Sequence, residues 1–184
     1  SNTVLETNLL LTKNQTYDFS ERHMEYATTK TFSDGTNTLG HNRELNGGGN
    51  ASIAMGYYVS GRGPVLETEM PFSTTQSKIA LSEIDGKTVQ KKITDYAIFP
   101  EVLKTKDTEG NITYSNEAKT ITYTKEQVEA NREKIKQHIM NYGAVVAMTL
   151  SGSEYSEYYN LNSEYPAFYC DNANLGLNHQ VTII

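Results

Sequence analysis

Apolar positions recur mainly at helical spacing in the first half of the chain and mostly at strand spacing in the second. Val4, Leu5, Leu9 and Leu10 fall on one side of a helix that opens the chain, and no capping residue precedes them. Asp18-Phe-Ser-Glu21 fits a capping box, with Asp18 accepting from first-turn amides and Glu21 reaching back, and predicts a short helix over 21–28. Residues 29–50 are rich in Gly, Asn, Thr and Asp, the chemistry of a loop. Asn50 then caps a second short helix over 51–59, stopped by Gly61 and Gly63-Pro64.

Beyond residue 90 the pattern changes. Residues 93–99 and 112–123 carry the β-branched and aromatic content of strands, with a turn signal at 108–111 between them. Thr124-Lys-Glu-Gln127 is a further capping box and opens the strongest helix, over 125–142, closed by Gly143. Val128, Ile135, Ile139 and Tyr142 share one face of it. Residues 144–150 then read as a buried strand, and 179–184 as a strand that stops without a turn residue. Both ends therefore read as interior to a longer protein. A helical lobe over 1–90 followed by a β lobe over 91–184 predicts an α+β fold with a cleft between the lobes.

Composition narrows the function classes. A length of 184 residues is one domain or two small lobes, and a 37% hydrophobic content supplies a core. A net charge of −6 argues against a sequence-independent grip on nucleic acid. The longest apolar stretches, 144–150 and 181–184, are far short of a membrane span. A single cysteine, Cys170, leaves no internal disulfide and no Cys-rich zinc site, and no pair among the four histidines has a metal-ligand spacing. No metal or other cofactor is called for.

His23 and His138 fall among charged neighbours on helices and read as surface residues; His41 reads as a turn residue. His179 differs, because it opens an apolar strand directly after a loop, where a side chain is both held and reachable. Cys170, nine residues earlier, has no cationic group or helix N-terminus nearby to activate it. Gly47, Gly48 and Gly49 precede a helix cap, but their spacing fits neither a dinucleotide fingerprint nor a P-loop, so they read as a tight turn. Tyr155, Tyr158, Tyr159, Tyr165, Phe168 and Tyr169 crowd one stretch, as packing for an irregular β segment or as a sugar-stacking surface.

Taken in order, these features resemble the papain-like cysteine peptidases. Phe19-Ser-Glu21 resembles the family's L-S-E-Q helix start, and Asn46-Gly-Gly-Gly-Asn50 with the helix after it resembles the N-G-G loop. Gly63-Pro-Val-Leu-Glu67 with Met70-Pro-Phe72 is similar to the G-x-x-x-E and Y-P-Y stretch, Tyr142-Gly-Ala-Val145 to Y-G-P-V, and Asn178-His-Gln-Val181 to N-H-A-V around the catalytic histidine. Within that family, and with no disulfide cysteines, the chain most resembles the secreted or cell-surface enzymes of Gram-positive bacteria, some of which carry a lectin-like domain.

The resemblance implies a two-lobe fold with an antiparallel, barrel-like β lobe, and a thiolate–imidazolium mechanism on a polypeptide substrate. His179 takes the histidine's place. Gly48 and Gly49 line the cleft and pair with an extended substrate strand. Met148 and Leu177 fall near the pocket for the side chain two before the scissile bond, and the backbone of Asn178 contacts substrate. Two parts of the machinery fall outside the chain: the nucleophile, expected a few residues before Ser1, and the Asn that orients the imidazole, expected after Ile184. The family's usual nucleophile-to-histidine interval would instead place the cysteine at roughly 29–49, where the chain has none. Ala144 replaces the usual Pro and Gln180 the usual Ala. Two other readings stand beside this one: an inactive papain-like domain that binds peptides or a surface, and a β-rich surface protein that binds glycans through its tyrosines.

Overall fold

The computed structural model describes residues 2–30, 32–36, 41–75, 77–152, 156–160, 162, 164–168, 170 and 176–184. The chain divides into two compact units, Ser1–Tyr96 with Tyr142–Ala144 and Ala97–Asn141 with Val145–Ile184.

The first unit carries helices α1 (Asn2–Lys13), α2 (Glu21–Ala27), α3 (Ala51–Val59) and α4 (Leu81–Asp85). Helix α1 turns Asn2 and Leu9 inward, with Leu5 half-buried between them, while Leu10 faces solvent rather than sharing their face. Ser20, not Asp18, caps α2: its side chain accepts from the His23 amide. Asp18 and Phe19 are committed elsewhere, because Phe19 bridges Leu66, Ser20 N–H donates to Val65 O and Glu67 N–H donates to Asp18 O. Asn50 caps α3 as its sequence predicts, accepting from the Ile53 amide at 3.0 Å. The core gathers Tyr26, Phe32, Ala54, Tyr57, Tyr58, Met70 and Ile84.

Most buried polar groups in this unit are paired, as burial demands, although Arg22 Nε and Glu67 Oε2 meet no hydrogen-bond partner among the described residues. Asn2 Nδ2 donates to Phe19 O at 2.8 Å, and Tyr58 Oη donates to Asn2 Oδ1 at 2.8 Å. The Phe19 amide donates to Glu6 Oε1 at 2.7 Å. Burial, with the Phe19 amide opposing it and Glu21 and Asp18 adding to it, holds the Glu6 carboxyl above its ordinary pKa. Residues 142–144 lie against α1: Asn8 Nδ2 donates to Tyr142 O at 2.7 Å and the Ala144 amide to Thr7 Oγ1 at 3.0 Å. Gly143 has φ +100°, and a Cβ there would stand 2.8 Å from the Asn8 nitrogen, so both conformation and space require glycine.

The second unit mixes one long helix with antiparallel sheets. Strands β1 (Leu103–Lys106), β2 (Ile112–Ser115) and β3 (Thr122–Tyr123) form a meander. The β1–β2 turn follows the sequence signal: Asp107 Oδ1 accepts from the Glu109 and Asn111 amides, and Gly110 has φ +91°. Residues 93–99 form no strand; Tyr96 and Ile98 face solvent, and among the described residues no neighbouring strand pairs with them. The predicted strand over 112–123 breaks in two, because Asn116 Oδ1 accepts from the Ile121 amide and folds the chain back on itself.

Helix α5 spans Lys125–Tyr142, with Thr124 and Gln127 capping each other reciprocally. Val128 is buried and Ile135 and Ile139 half-buried, while the Tyr142 side chain is exposed rather than part of that apolar face. Strand β4 (Val145–Thr149) pairs antiparallel with β7 (His179–Ile183), and β5 (Tyr159–Asn160) pairs with β6 (Ala167–Phe168). The strands described thus make three separate sheets and no closed barrel. No helix among the described residues is long and apolar enough to cross a membrane.

Candidate functional site

His179 is the first residue of β7 and pairs with Thr149, the last of β4. Its side chain is exposed. Just before it, the Asn178 amide donates to Thr149 O at 3.1 Å. The Asn178 side chain then grips the backbone of Ser151 at two points: Oδ1 accepts from Ser151 N–H and Nδ2 donates to Ser151 O, both at 2.7 Å. The carboxamide therefore acts as one more rung of the ladder and holds the strand lip beyond the last backbone pair. The Asn178 N–H is spent on the Thr149 carbonyl.

Register sorts the other predicted residues. His179 shares a face with Val181 and Ile183, whereas Met148 pairs with Gln180 on the opposite face. Met148 and Leu177 are both exposed. Gln180, half-buried, is the cross-strand neighbour of Met148, so any pocket formed by one includes the other.

Gly48 and Gly49 belong to the first unit, in an exposed turn between α2 and α3. The turn closes through Gly47 N–H to Glu44 O at 3.0 Å, and a Cβ at Gly47 would stand 2.8 Å from that oxygen. Gly48 has φ +71°. Arg43 Nη1 donates to Gly48 O at 2.7 Å, Nη2 to Glu25 O at 2.9 Å and Nε to Thr28 Oγ1 at 3.2 Å. Among the described residues no backbone partner meets the Gly48 N–H or either backbone group of Gly49. Burial draws the Arg43 guanidinium below its ordinary pKa, with Glu25 opposing.

No protein-family model matches the chain, and no curated protein matches it in sequence. Solved structures do match. The cysteine protease and lectin-like domains of Cwp84, a surface layer associated protein of Clostridium difficile, superpose with a TM-score of 0.59 at 23% identity, over 100% of this chain and 32% of that one. The clostridial cysteine protease Cwp84 after propeptide cleavage gives 0.62 at 25% identity, over 98% of this chain and 36% of that one. The fold is similar to part of the Cwp84 protease. The chain spans about a third of the length of these Cwp84 chains.

Several sequence expectations change against this Cwp84-like frame. His23 is not a surface residue: it is fully enclosed, with Nδ1 2.8 Å from Tyr57 Oη and Nε2 3.2 Å from Ile84 O. Its charged sequence neighbours misled because they lie on the other faces of α2. His138 is half-buried and edge-on to Phe99 at 5.2 Å. His41 is half-buried beside Gly56, and burial followed by Arg62 and Arg43 lowers its pKa. Cys170 is a free, half-buried thiol. In the tyrosine-rich stretch, Tyr159 pairs across from Phe168 and Tyr165 faces solvent; Tyr155 and Tyr169 lie outside the described residues. Sequence reading overlooked Arg43 and Glu6, although a lone arginine ahead of a glycine run was a visible signal.

Proposed function

We propose that this chain is part of a papain-like cysteine endopeptidase acting at, or secreted from, a bacterial cell surface. One observation carries the reading above all: in a chain with a Cwp84-like fold, His179 stands exposed on a strand lip held by Thr149 and by the Asn178–Ser151 clamp. In this reading residues 1–90 and 91–184 are the helical and β lobes, and Gly48, Gly49, Met148, Leu177 and Asn178 contact the substrate.

The chemistry follows from the histidine's placement. A cysteine thiol N-terminal to Ser1 passes its proton to the His179 imidazole, and the thiolate attacks the scissile carbonyl carbon. The imidazolium returns that proton to the leaving amine as the C–N bond breaks, and a thioester remains. Water, deprotonated by the neutral imidazole, then releases the acid and restores the thiol. An Asn after Ile184 orients the ring. The backbone of Gly49 pairs with the extended substrate as a sheet edge does. The substrate is a polypeptide with an apolar side chain two residues before the cut. A lectin-like or cell-wall domain elsewhere in the longer protein fits the same reading.

The test is a peptide-cleavage assay on the longer protein before and after thiol alkylation. Cleavage lost on alkylation is the expected result. A protein that binds peptides without cutting them, before or after alkylation, would instead select an inactive binding module.

A further inference from the structure

Arg43 is the point where the glycine turn is fastened to α2. Its guanidinium reaches the C-terminal end of that helix through Glu25 O and Thr28 Oγ1, and reaches the turn through Gly48 O, with a longer contact to Glu44 O at 3.4 Å. Carbonyls in a helix's last turn lack intrahelical donors, so a cation suits this position. Two further bonds run the same way. The Asn46 amide donates to Glu25 Oε1 at 2.9 Å, and the Lys30 amide donates to Arg43 O at 2.9 Å.

We propose that Arg43 is a positioning residue, one that fixes the Gly48–Gly49 edge in the form that pairs with an extended peptide; the proposal rests on the peptidase reading above. Three consecutive glycines leave this segment with more conformational freedom than any other residue type allows, and ordering them on binding would cost affinity. With one cysteine in the chain, no internal disulfide restrains the turn. Arg43 restrains it instead by holding Gly48 O, at the one residue of this edge whose φ is left-handed. That leaves the next residue, Gly49, to offer its N–H and C=O to a substrate. A planar fork is needed because three acceptors lie in different directions around it; an ammonium in the same place serves fewer of them.

The experiment compares wild type, Arg43→Gln and Arg43→Lys in the longer protein, with rates expressed per titrated active site. Arg43→Gln is expected to raise KM for extended peptides about tenfold while kcat stays within about twofold, the loss of a charge-assisted hydrogen bond felt through the edge it holds. Arg43→Lys is expected between the two. Amide order parameters at Gly48 and Gly49 are expected near 0.85 in wild type and below about 0.6 in Arg43→Gln. An unchanged KM with unchanged order parameters overturns the proposal, even if Tm falls, because a purely structural arginine moves Tm alone. If Arg43→Gln does not fold, Arg43→Lys carries the same comparison. If wild type cuts no peptide, the peptidase reading fails, and the order parameters alone still decide whether Arg43 holds the turn.

Discussion

Tyr57 Oη lies 2.8 Å from His23 Nδ1, and both rings are closed off from solvent. His23 Nε2 meets Ile84 O at 3.2 Å, so a neutral ring protonated on Nε2 satisfies both contacts, donating to Ile84 and accepting from Tyr57. One imidazole thereby joins α2, α3 and the end of α4. Burial draws the His23 pKa down and drives that of Tyr57 up.

Stability should therefore fall on acidification. The folded-state pKa of His23 lies below its unfolded value of 6.5, so the unfolded chain binds the proton first as pH falls. The contribution of His23 is complete above that value and is lost as pH falls through the folded pKa. Urea unfolding of wild type and His23→Gln isolates the effect: wild type should lose more stability below pH 6.5 than the variant. Parallel pH profiles would contradict it.

Tyr57→Phe leaves His23 Nδ1 buried without a donor. The expected loss is about 1–3 kcal/mol at neutral pH. A variant as stable as wild type would show that the contact at 2.8 Å holds nothing together.

Glu6 behaves in the opposite sense. Its raised pKa means that the ionised form is the costly one in the fold, so its contribution is complete below the unfolded value of 4.5 and is lost as pH rises through the folded pKa. Glu6→Gln keeps an acceptor for the Phe19 amide and should match or exceed wild-type stability at neutral pH, with no advantage in acid. Glu6→Leu strands that amide and should cost about 1–2 kcal/mol. Denaturant midpoints at two pH values check both.

Asn178→Ala removes both bonds to Ser151 and frees the lip that carries His179. In the longer protein kcat is expected to fall about tenfold, with Tm lowered only slightly, because the lost bonds are exposed. Steady-state peptide kinetics check this. Full kcat in a correctly folded variant would show that His179 needs no such support.

How much of this was legible in the sequence depends on where each partner lies. Helix α3 and helix α5 carry their own caps in Asn50 and Thr124, within three residues of the amides they serve, and both were readable. Helix α4 was not: Ala80 offers no capping oxygen, and the Leu81 amide is met by Asp34 Oδ2, 47 positions away in sequence. The start of α2 was readable, but its cap was misplaced by two residues, at Asp18 instead of Ser20, because Asp18 and Phe19 answer to residues 65–67 rather than to the helix. His179 stood out through its strand-edge context. Arg43 did not, since its three main acceptors come from α2, from the residues after it and from the glycine turn. Local chemistry was visible in the order of residues; chemistry assembled across distance was not.

The most direct measurement is peptide hydrolysis by the longer protein carrying His179→Ala. The residue is exposed and, among the described residues, pairs only through its backbone, so the variant should fold as wild type does. Turnover should fall by at least about a thousandfold, the scale on which a general acid–base group acts together with the nucleophile it activates. A folded His179→Ala protein that still cleaves peptides near the wild-type rate would contradict the assignment.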